Sequence, residues 1–188
     1  MKGPVKVLLI IAAIVVVAFM IFGKVMGWKN KLVMFDEGCK KAWAQVETTM
    51  QRRLDLIPNL VETVKGYAAH EESVLVDVTK ARASVTGAGS PEEKMAANNQ
   101  LSGALARLMV VVERYPDLKA NQNFMALQDE LAGTENRISV ARQRYNDAVN
   151  EFNTTRRKFP YTLIAGSFKE APYYAADVAA KEAPKVKF

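Results

Sequence analysis

The chain has 188 residues, with 26 Lys and Arg against 20 Asp and Glu, and its net charge is +6. Its length fits a membrane segment plus one domain that can bury a core without metal or disulfide cross-links. Residues 1–31 hold five Lys and no acid, whereas residues 32–155 hold 14 basic and 17 acidic side chains. A nucleic-acid-binding domain needs a basic face on its folded body, so this distribution excludes that class and we expect no nucleic-acid partner.

An apolar run opens the chain. Residues 7–23, VLLIIAAIVVVAFMIFG, carry no charge, and a membrane-spanning helix needs about 17–25 such residues. Lys6 and Lys24 can extend to the two interfaces, and Trp28 suits an interfacial anchor. A cleaved signal peptide is the alternative, but the run is long for one and no Ala-x-Ala site follows it. We predict an uncleaved transmembrane anchor over residues 1–29.

The lysines around the run leave the orientation open. Lys24, Lys29 and Lys31 follow the run, and their number slightly favours a cytoplasmic C-terminal domain. A signal anchor with a short basic N-terminus favours an external domain instead. Both orientations are compatible with a single-pass membrane protein.

Apolar residues that recur every three or four positions predict an all-α bundle of about four long helices over residues 30–158. We place the first helix over residues 30–56, almost continuous with the anchor, and expect Pro58 to interrupt it. The second helix is predicted over residues 58–84. The third begins at Ser90-Pro91-Glu92-Glu93, which has the pattern of a capping box with Pro at the first helical position, and it runs to about residue 113.

The fourth helix is predicted to be the longest, over residues 118–157, with a cap at Asp117 or Asn121. Its apolar positions keep a seven-residue repeat that is typical of bundle or coiled-coil packing. They are Phe124, Leu127, Leu131, Thr134, Ile138, Ala141, Tyr145, Ala148 and Phe152. A helix of about 40 residues is about 60 Å long, so the predicted antiparallel bundle is elongated.

Phe159-Pro160 ends the helices and begins a tail over residues 159–188. The aromatic residues Phe168, Tyr173 and Tyr174 indicate that part of the tail docks on the bundle or reaches between subunits. Beyond Tyr174 the alternatives are a flexible end, an inter-subunit arm and a contact with the membrane surface. The predicted organisation is therefore anchor 1–29, bundle 30–158 and tail 159–188.

The side chains that most often carry chemistry are sparse. His70 is the only histidine, and its His-Glu-Glu sequence lacks the second His of a zinc-binding helix. Cys39 is the only cysteine and suits a small buried position on a helix seam. We expect Arg52 and Arg53 to pair charges within the bundle, and Asn146, Asn150 and Asn153 to bond between helices. We predict no catalytic, cofactor-binding or metal-binding residues, and we expect that the chain is not an enzyme.

Several ordered motifs along the chain resemble the bacterial LemA family. They are Ala42-Trp43-Ala44-Gln45-Val46-Glu47, Gln51-Arg52-Arg53-x-Asp55-Leu56-Ile57-Pro58-Asn59-Leu60-Val61, Val64-Lys65-Gly66-Tyr67-Ala68-x-His70-Glu71, Tyr115-Pro116-x-Leu118-Lys119-Ala120-Asn121, Leu127-Gln128-x-Glu130-Leu131-x-x-Thr134-Glu135-Asn136-Arg137-Ile138, Ala141-Arg142-x-x-Tyr145-Asn146 and Phe159-Pro160. The resemblance implies a single membrane anchor followed by a helical bundle, with no catalytic residue to transfer. It also implies loose associations with the cell envelope and envelope stress, which favour the bacterial inner membrane with the soluble domain on the periplasmic or external side.

The sequence leaves two functions open, and a third, an enzyme, would require measurable turnover that is lost in His70→Ala. The first is a self-assembling structural scaffold of the cell envelope, a homo-oligomer whose lateral contacts use apolar positions such as Trp43, Phe124 or Tyr67. The second is a membrane-tethered binding module for a lipid, a peptide or a partner envelope protein, with the tail or the turn around Pro58-Asn59 as its contact.

Overall fold

The computed structural model describes the backbone of residues 3–68 and 70–174, and their side chains from Lys6 onward. The described chain is all-α. Its helices are α1 (Gly3–Lys65), α2 (Glu72–Gly87), α3 (Pro91–Val112), α4 (Pro116–Lys119) and α5 (Gln122–Arg157), and two short 3-10 turns follow at Tyr161–Leu163 and Ala165–Ser167. This confirms the predicted fold class. The part of the tail prediction that concerns residues 175–188 lies outside the described residues, and the boundaries of anchor, bundle and tail stay predictions.

Contacts divide the described chain into two compact units. One unit contains residues 3–40 and 148–171, and the other contains residues 41–147 and 172–174. Both α1 and α5 contribute to each unit, because the division crosses them in mid-helix.

Helix α1 carries the apolar run at its start. The exposed fraction of its large apolar side chains from Val7 to Phe22 is 49–77%. A window of this helix has a mean hydropathy of 2.8 and no buried residue, so its length and composition allow it to cross a membrane. Since α1 has no break between this run and Lys65, the predicted continuity of the anchor with the first bundle helix is confirmed.

The predicted break at Pro58 is wrong. Helix α1 continues through Pro58 to Lys65, and Gly66, a poor helix former, follows it. The apolar stripe of Ile57, Leu60 and Val64 is buried in the core on both sides of the proline, and Pro58 itself lies on the exposed face. Core burial therefore outweighs the missing N–H of proline, which otherwise costs a helix interior about 3 kcal/mol.

The second predicted helix is consequently misplaced. Residues 58–65 belong to α1, a turn follows, and α2 begins only at Glu72. The third helix is confirmed: the Ser90 hydroxyl accepts from Glu93 N–H at 3.2 Å, and the Glu93 carboxylate accepts from Ser90 N–H at 3.2 Å. The fourth helix is divided into α4 and α5, because Asn121 caps α5 by accepting from Phe124 N–H at 3.0 Å.

The core of the second unit is formed by α1, α2, α3, Leu118 of α4 and the first half of α5. Its members include Leu54, Ile57, Leu60, Val64, Leu75, Val78, Leu101, Leu108, Leu118, Phe124 and Leu131. Full burial of one such side chain contributes about 1.5–3 kcal/mol. The seven-residue repeat of α5 faces inward along its whole length: all its positions are buried except Leu127 and Ala148, which are partly buried. Thr134, the polar member, satisfies its hydroxyl on the carbonyl of Leu131 at 2.8 Å.

Candidate functional site

The two residues that could carry nucleophilic or metal chemistry do not form a site. His70 is exposed in the turn between α1 and α2. Cys39 is 5% exposed in the first unit, which fits its predicted place on a helix seam, and burial together with Asp36 raises the pKa of its thiol to about 11. A nucleophilic cysteine needs the thiolate form, so this environment opposes that chemistry. Over residues 3–68 and 70–174, no group of three or more His, Cys, Asp or Glu could hold a metal.

A buried arginine organises the second unit. Arg53 of α1 has a side chain only 6% exposed, and its Nη1 lies 2.7 Å from Glu135 Oε2 of α5. The same nitrogen donates to Ser102 Oγ at 3.0 Å and to Asn98 Oδ1 at 3.4 Å on α3. Burial lowers the pKa of Arg53, and the Glu135 carboxylate opposes that shift. Arg53 therefore links three helices through one guanidinium group, while its Nε lacks a hydrogen-bond partner among the described protein atoms.

The network continues to the last described residue. Asn98 Nδ2 donates to the Tyr174 hydroxyl oxygen at 3.2 Å. Asn146 of α5 bonds the backbone of Tyr174 twice: its Oδ1 accepts from the N–H at 2.8 Å, and its Nδ2 donates to the carbonyl at 3.0 Å. The Arg142 guanidinium lies 5.4 Å from the centre of the Tyr174 ring, within cation–π range. Tyr174, which is 2% exposed, is thus the residue at which the hydrogen-bond network that begins at Arg53 ends.

Burial also raises the pKa of the Tyr174 hydroxyl, since the phenolate would lose its hydration. The bond from Asn98 and the positive charge of Arg142 oppose this shift. The neutral phenol is therefore the form that the folded unit holds at neutral pH.

In the first unit, too, an asparagine of α5 bonds both backbone groups of one residue in the segment that follows the helix. Asn153 of α5 is buried, accepts from Ala171 N–H at 3.0 Å and donates to the Ala171 carbonyl at 2.8 Å. Arg156 Nε donates to the Phe168 carbonyl at 2.8 Å, and the Phe168 ring meets Phe152 edge-on at 6.4 Å. Each of these three hydrogen bonds satisfies a backbone N–H or carbonyl group in a segment where no regular secondary structure provides a backbone partner.

A second polar cluster joins the turns of the second unit. The Tyr115 hydroxyl and Arg114 Nη2 donate to Glu71 Oε1 at 3.1 and 2.8 Å. Asn121 Nδ2 donates to the Tyr67 hydroxyl oxygen at 2.9 Å. Desolvation and the bond to Glu71 raise the pKa of Tyr115. These three hydrogen bonds join residues of neighbouring turns, an arrangement that suits the fixing of turns.

Several open clefts lie in the second unit, and two of them are lined by an exposed valine. One, of about 480 Å³, lies between the end of α1 and α2, with Val61, Leu75 and Val76 as apolar lining and charged residues such as Glu62 and Lys80 around them. The other, of about 370 Å³, lies between α1 and α5 and includes Thr49, Val140 and Arg144. Val140 is 50% exposed there.

The expected charge pairing of Arg52 and Arg53 is confirmed by their bonds to Glu130 and Glu135 of α5. The expectation that Asn146 and Asn153 bond between helices is wrong, since both hold the backbone of the tail segment. Asn150 accepts from Thr154 within its own helix at 3.4 Å.

Of the three positions predicted for lateral contacts, Phe124 is only 1% exposed and belongs to the core, while Tyr67 is 46% exposed. Trp43 is partly buried, and its ring meets Tyr145 edge-on at 5.3 Å.

The fold and these networks define a class: a membrane-associated helical protein whose polar residues hold helices, turns and tail together. Residues 42–188 match the LemA family. Since the match covers most of the chain, the chain belongs to the LemA family.

Relatives of the chain include two magnetosome proteins of Paramagnetospirillum magneticum, MamQ 1 and MamQ 2. Each is 27% identical over 92% of this chain and 73% of its own length. Protein LemA of Metamycoplasma hominis is 25% identical over 74% of this chain and 64% of its own length. The family resemblance stated from the motifs is thereby confirmed.

Proposed function

We propose that this protein is a membrane-anchored structural scaffold that assembles laterally into a homo-oligomer of the bacterial envelope. The main support is helix α1, which runs without a linker from the apolar segment into the bundle. Copies anchored in one membrane share a plane, and this confinement raises their effective concentration for side-by-side contact. A weak lateral interface is then sufficient for assembly.

The interface that we propose is the cleft around Val140. The seven-residue repeat of α5 is used within the fold, so it leaves no apolar seam for a second copy. Val140 lies on an exposed part of α5, in a cleft whose lining also includes Gln45 and Arg144. An apolar centre with polar groups around it has the composition of a protein interface.

Lateral assembly is tested with the full-length chain in vesicles, by energy transfer between donor- and acceptor-labelled copies at low surface density. Val140→Glu places a charge in the contact and is expected to abolish the transfer, while the helical circular dichroism stays unchanged because the side chain is half exposed. Val140→Thr keeps the shape without a charge and is expected to retain most of the transfer. Equal transfer in the wild type and Val140→Glu would refute this interface.

The cleft between α1 and α2 supports a second candidate function, a tethered binding module. Its apolar lining and charged neighbours suit an amphipathic ligand such as a lipid or a peptide segment. Native mass spectrometry of the full-length chain, purified from membranes, tests it. Lipid or peptide adducts that are lost in Val76→Glu but kept in Val110→Glu, an exposed valine of α3, would favour this function.

We further propose that the bundle lies on the external side of the inner membrane. In a Cys39→Ala background, Gln143→Cys offers one exposed thiol on α5. Labelling of intact cells by a membrane-impermeant maleimide would support the external side. Labelling that requires cell lysis would place the bundle in the cytoplasm.

A further inference from the structure

The segment that follows α5 exposes two large apolar side chains. We define it as the membrane-proximal loop, residues 158–163. Phe159 is 80% exposed and Leu163 is 70% exposed. Outside the apolar run of α1, few side chains of this size are exposed to this extent in the described chain. These two side chains are four residues apart in the chain, and exposed apolar residues in one short segment are typical of a contact with a partner or a membrane.

The loop lies beside the part of α1 that follows the apolar run. Lys31 Nζ of α1 lies 5.8 Å from the centre of the Tyr161 ring, and both residues belong to the same unit. Tyr161 stands between Phe159 and Leu163 in the loop. Lys31 follows Met26 by five residues, which corresponds to about 7.5 Å along a helix.

That distance equals the depth of a headgroup layer. The hydrocarbon core is about 30 Å thick and the whole bilayer about 40–45 Å, so each polar layer is about 5–8 Å deep. A spanning segment over residues 7–26, in which Lys24 lies within one turn of the end and can extend to the interface, fills the hydrocarbon core at about 1.5 Å per residue. Lys31 then lies at the outer end of the headgroup layer, where aromatic side chains concentrate. The Tyr161 ring is within cation–π range of its Nζ, which also lies 5.7 Å from the centre of the Phe35 ring.

The charge around the loop matches an anionic lipid surface. Residues 1–35 and 152–169 contain no Asp or Glu. Their exposed basic side chains include Lys24, Lys29, Lys31, Arg157 and Lys158. Basic groups at this level are attracted to anionic headgroups, and the apolar side chains beside them can enter the boundary with the acyl chains.

We propose that the membrane-proximal loop is a second membrane contact, in which Phe159 and Leu163 insert at the boundary between the headgroups and the acyl chains of the leaflet where α1 leaves the bilayer. The inference rests on the insertion of α1 and is independent of self-assembly. The contact holds the end of α5 at the membrane surface, so that the chain engages the bilayer at two points instead of one.

The test uses the full-length chain in vesicles of phosphatidylcholine and phosphatidylglycerol. In a Cys39→Ala background, a nitroxide is attached at Phe159→Cys, at Leu163→Cys or, as the control, at Val110→Cys on α3, which is 72% exposed. We expect the collision rate with a water-soluble nickel quencher to be several-fold lower at positions 159 and 163 than at 110. The collision rate with oxygen, which is enriched in lipid, should be several-fold higher.

Co-flotation of the chain with the vesicles reports the insertion of α1 separately. If the chain floats while positions 159 and 163 meet the water-soluble quencher as often as position 110, the loop contact is refuted. A chain that does not float refutes both the anchor and the loop contact. Detergent micelles cannot replace vesicles here, because they lack the planar anionic surface.

Discussion

Arg82 Nε of α2 donates a hydrogen bond of 3.0 Å to the carbonyl oxygen of Leu54 in α1. In a regular helix this oxygen accepts from the N–H four residues later, but residue 58 is proline and has none. The guanidinium therefore replaces the missing backbone donor. A partly buried acceptor is satisfied, and α1 passes through Pro58 without losing the stability that an unpaired carbonyl would cost.

This relationship predicts a coupling between positions 58 and 82. Arg82→Ala should lower the free energy of unfolding by about 1.5–3 kcal/mol, since a charged donor is lost and the carbonyl is left unpaired. In a Pro58→Ala background the new N–H bonds Leu54, so the same substitution should cost about 1 kcal/mol less. Urea unfolding of the four chains in mild detergent measures this cycle, and an equal cost in both backgrounds would contradict the assignment.

The pair that the buried Arg53 forms with Glu135 predicts how the stability changes when one charge or both charges are removed. Glu135→Ala should destabilise the protein by about 1–3 kcal/mol, because Arg53 is left buried without its counter-charge and Glu135 itself is half exposed. Arg53→Met with Glu135→Gln removes both charges and keeps the volume, so the double variant should regain most of the loss. A double variant that is less stable than Glu135→Ala would contradict this prediction. It would show that Arg53 stabilises the fold through more than its ion pair with Glu135.

The tail segment predicts a local effect on hydrogen exchange. Asn146→Asp replaces the amide donor with a carboxylate oxygen that faces the Tyr174 carbonyl, while the matched change Gln143→Glu lies on an exposed part of the same helix. Exchange at the Tyr174 N–H should accelerate by about tenfold for each 1.4 kcal/mol that is lost. If Gln143→Glu accelerates exchange at the Tyr174 N–H equally, the cause is the added negative charge and not the loss of the bond from Asn146.

Tyr174 also predicts a dependence on alkaline pH. Its pKa is raised in the folded state, so between the unfolded pKa of about 10 and the folded pKa the native state binds more protons than the unfolded state. The contribution of Tyr174 is therefore fully present below about pH 10 and is lost as the pH rises through the folded pKa. Urea midpoints should fall more steeply above about pH 10 in the wild type than in Tyr174→Phe, which has no ionisable group. Parallel curves would contradict the prediction.

Cys39 predicts a difference in thiol reactivity. Burial raises its pKa to about 11, whereas an unfolded cysteine ionises near pH 8.5, so at about pH 8 only the unfolded chain holds an appreciable fraction of thiolate. Alkylation in mild detergent should be several-fold slower than in denaturant. Rapid alkylation of the folded chain would contradict this prediction, because it would show that the helices around Cys39 separate often enough to expose the thiol.

Much of the fold could be predicted from the sequence because its signals are local. The repeat from Phe124 to Phe152 predicted the buried face of α5, and Ser90 with Glu93 predicted the start of α3. Pro58 misled the prediction because the group that compensates for it, Arg82, is far away in sequence. The aromatic residues of the tail, Tyr174 among them, led us to expect docking, but they did not indicate Asn98 and Asn146 as the partners of Tyr174. A tyrosine in an irregular segment has no periodicity that indicates what it contacts.

The mass of the full-length chain in mild detergent tests the central claim of lateral assembly most directly. One chain has a mass of 20.8 kDa. We expect a discrete particle of several chains after the detergent mass is subtracted, and a single chain for Val140→Glu under the same conditions. A wild-type protein that remains a single chain at every concentration would contradict the scaffold, and the cleft between α1 and α2 would then be the leading candidate for its function.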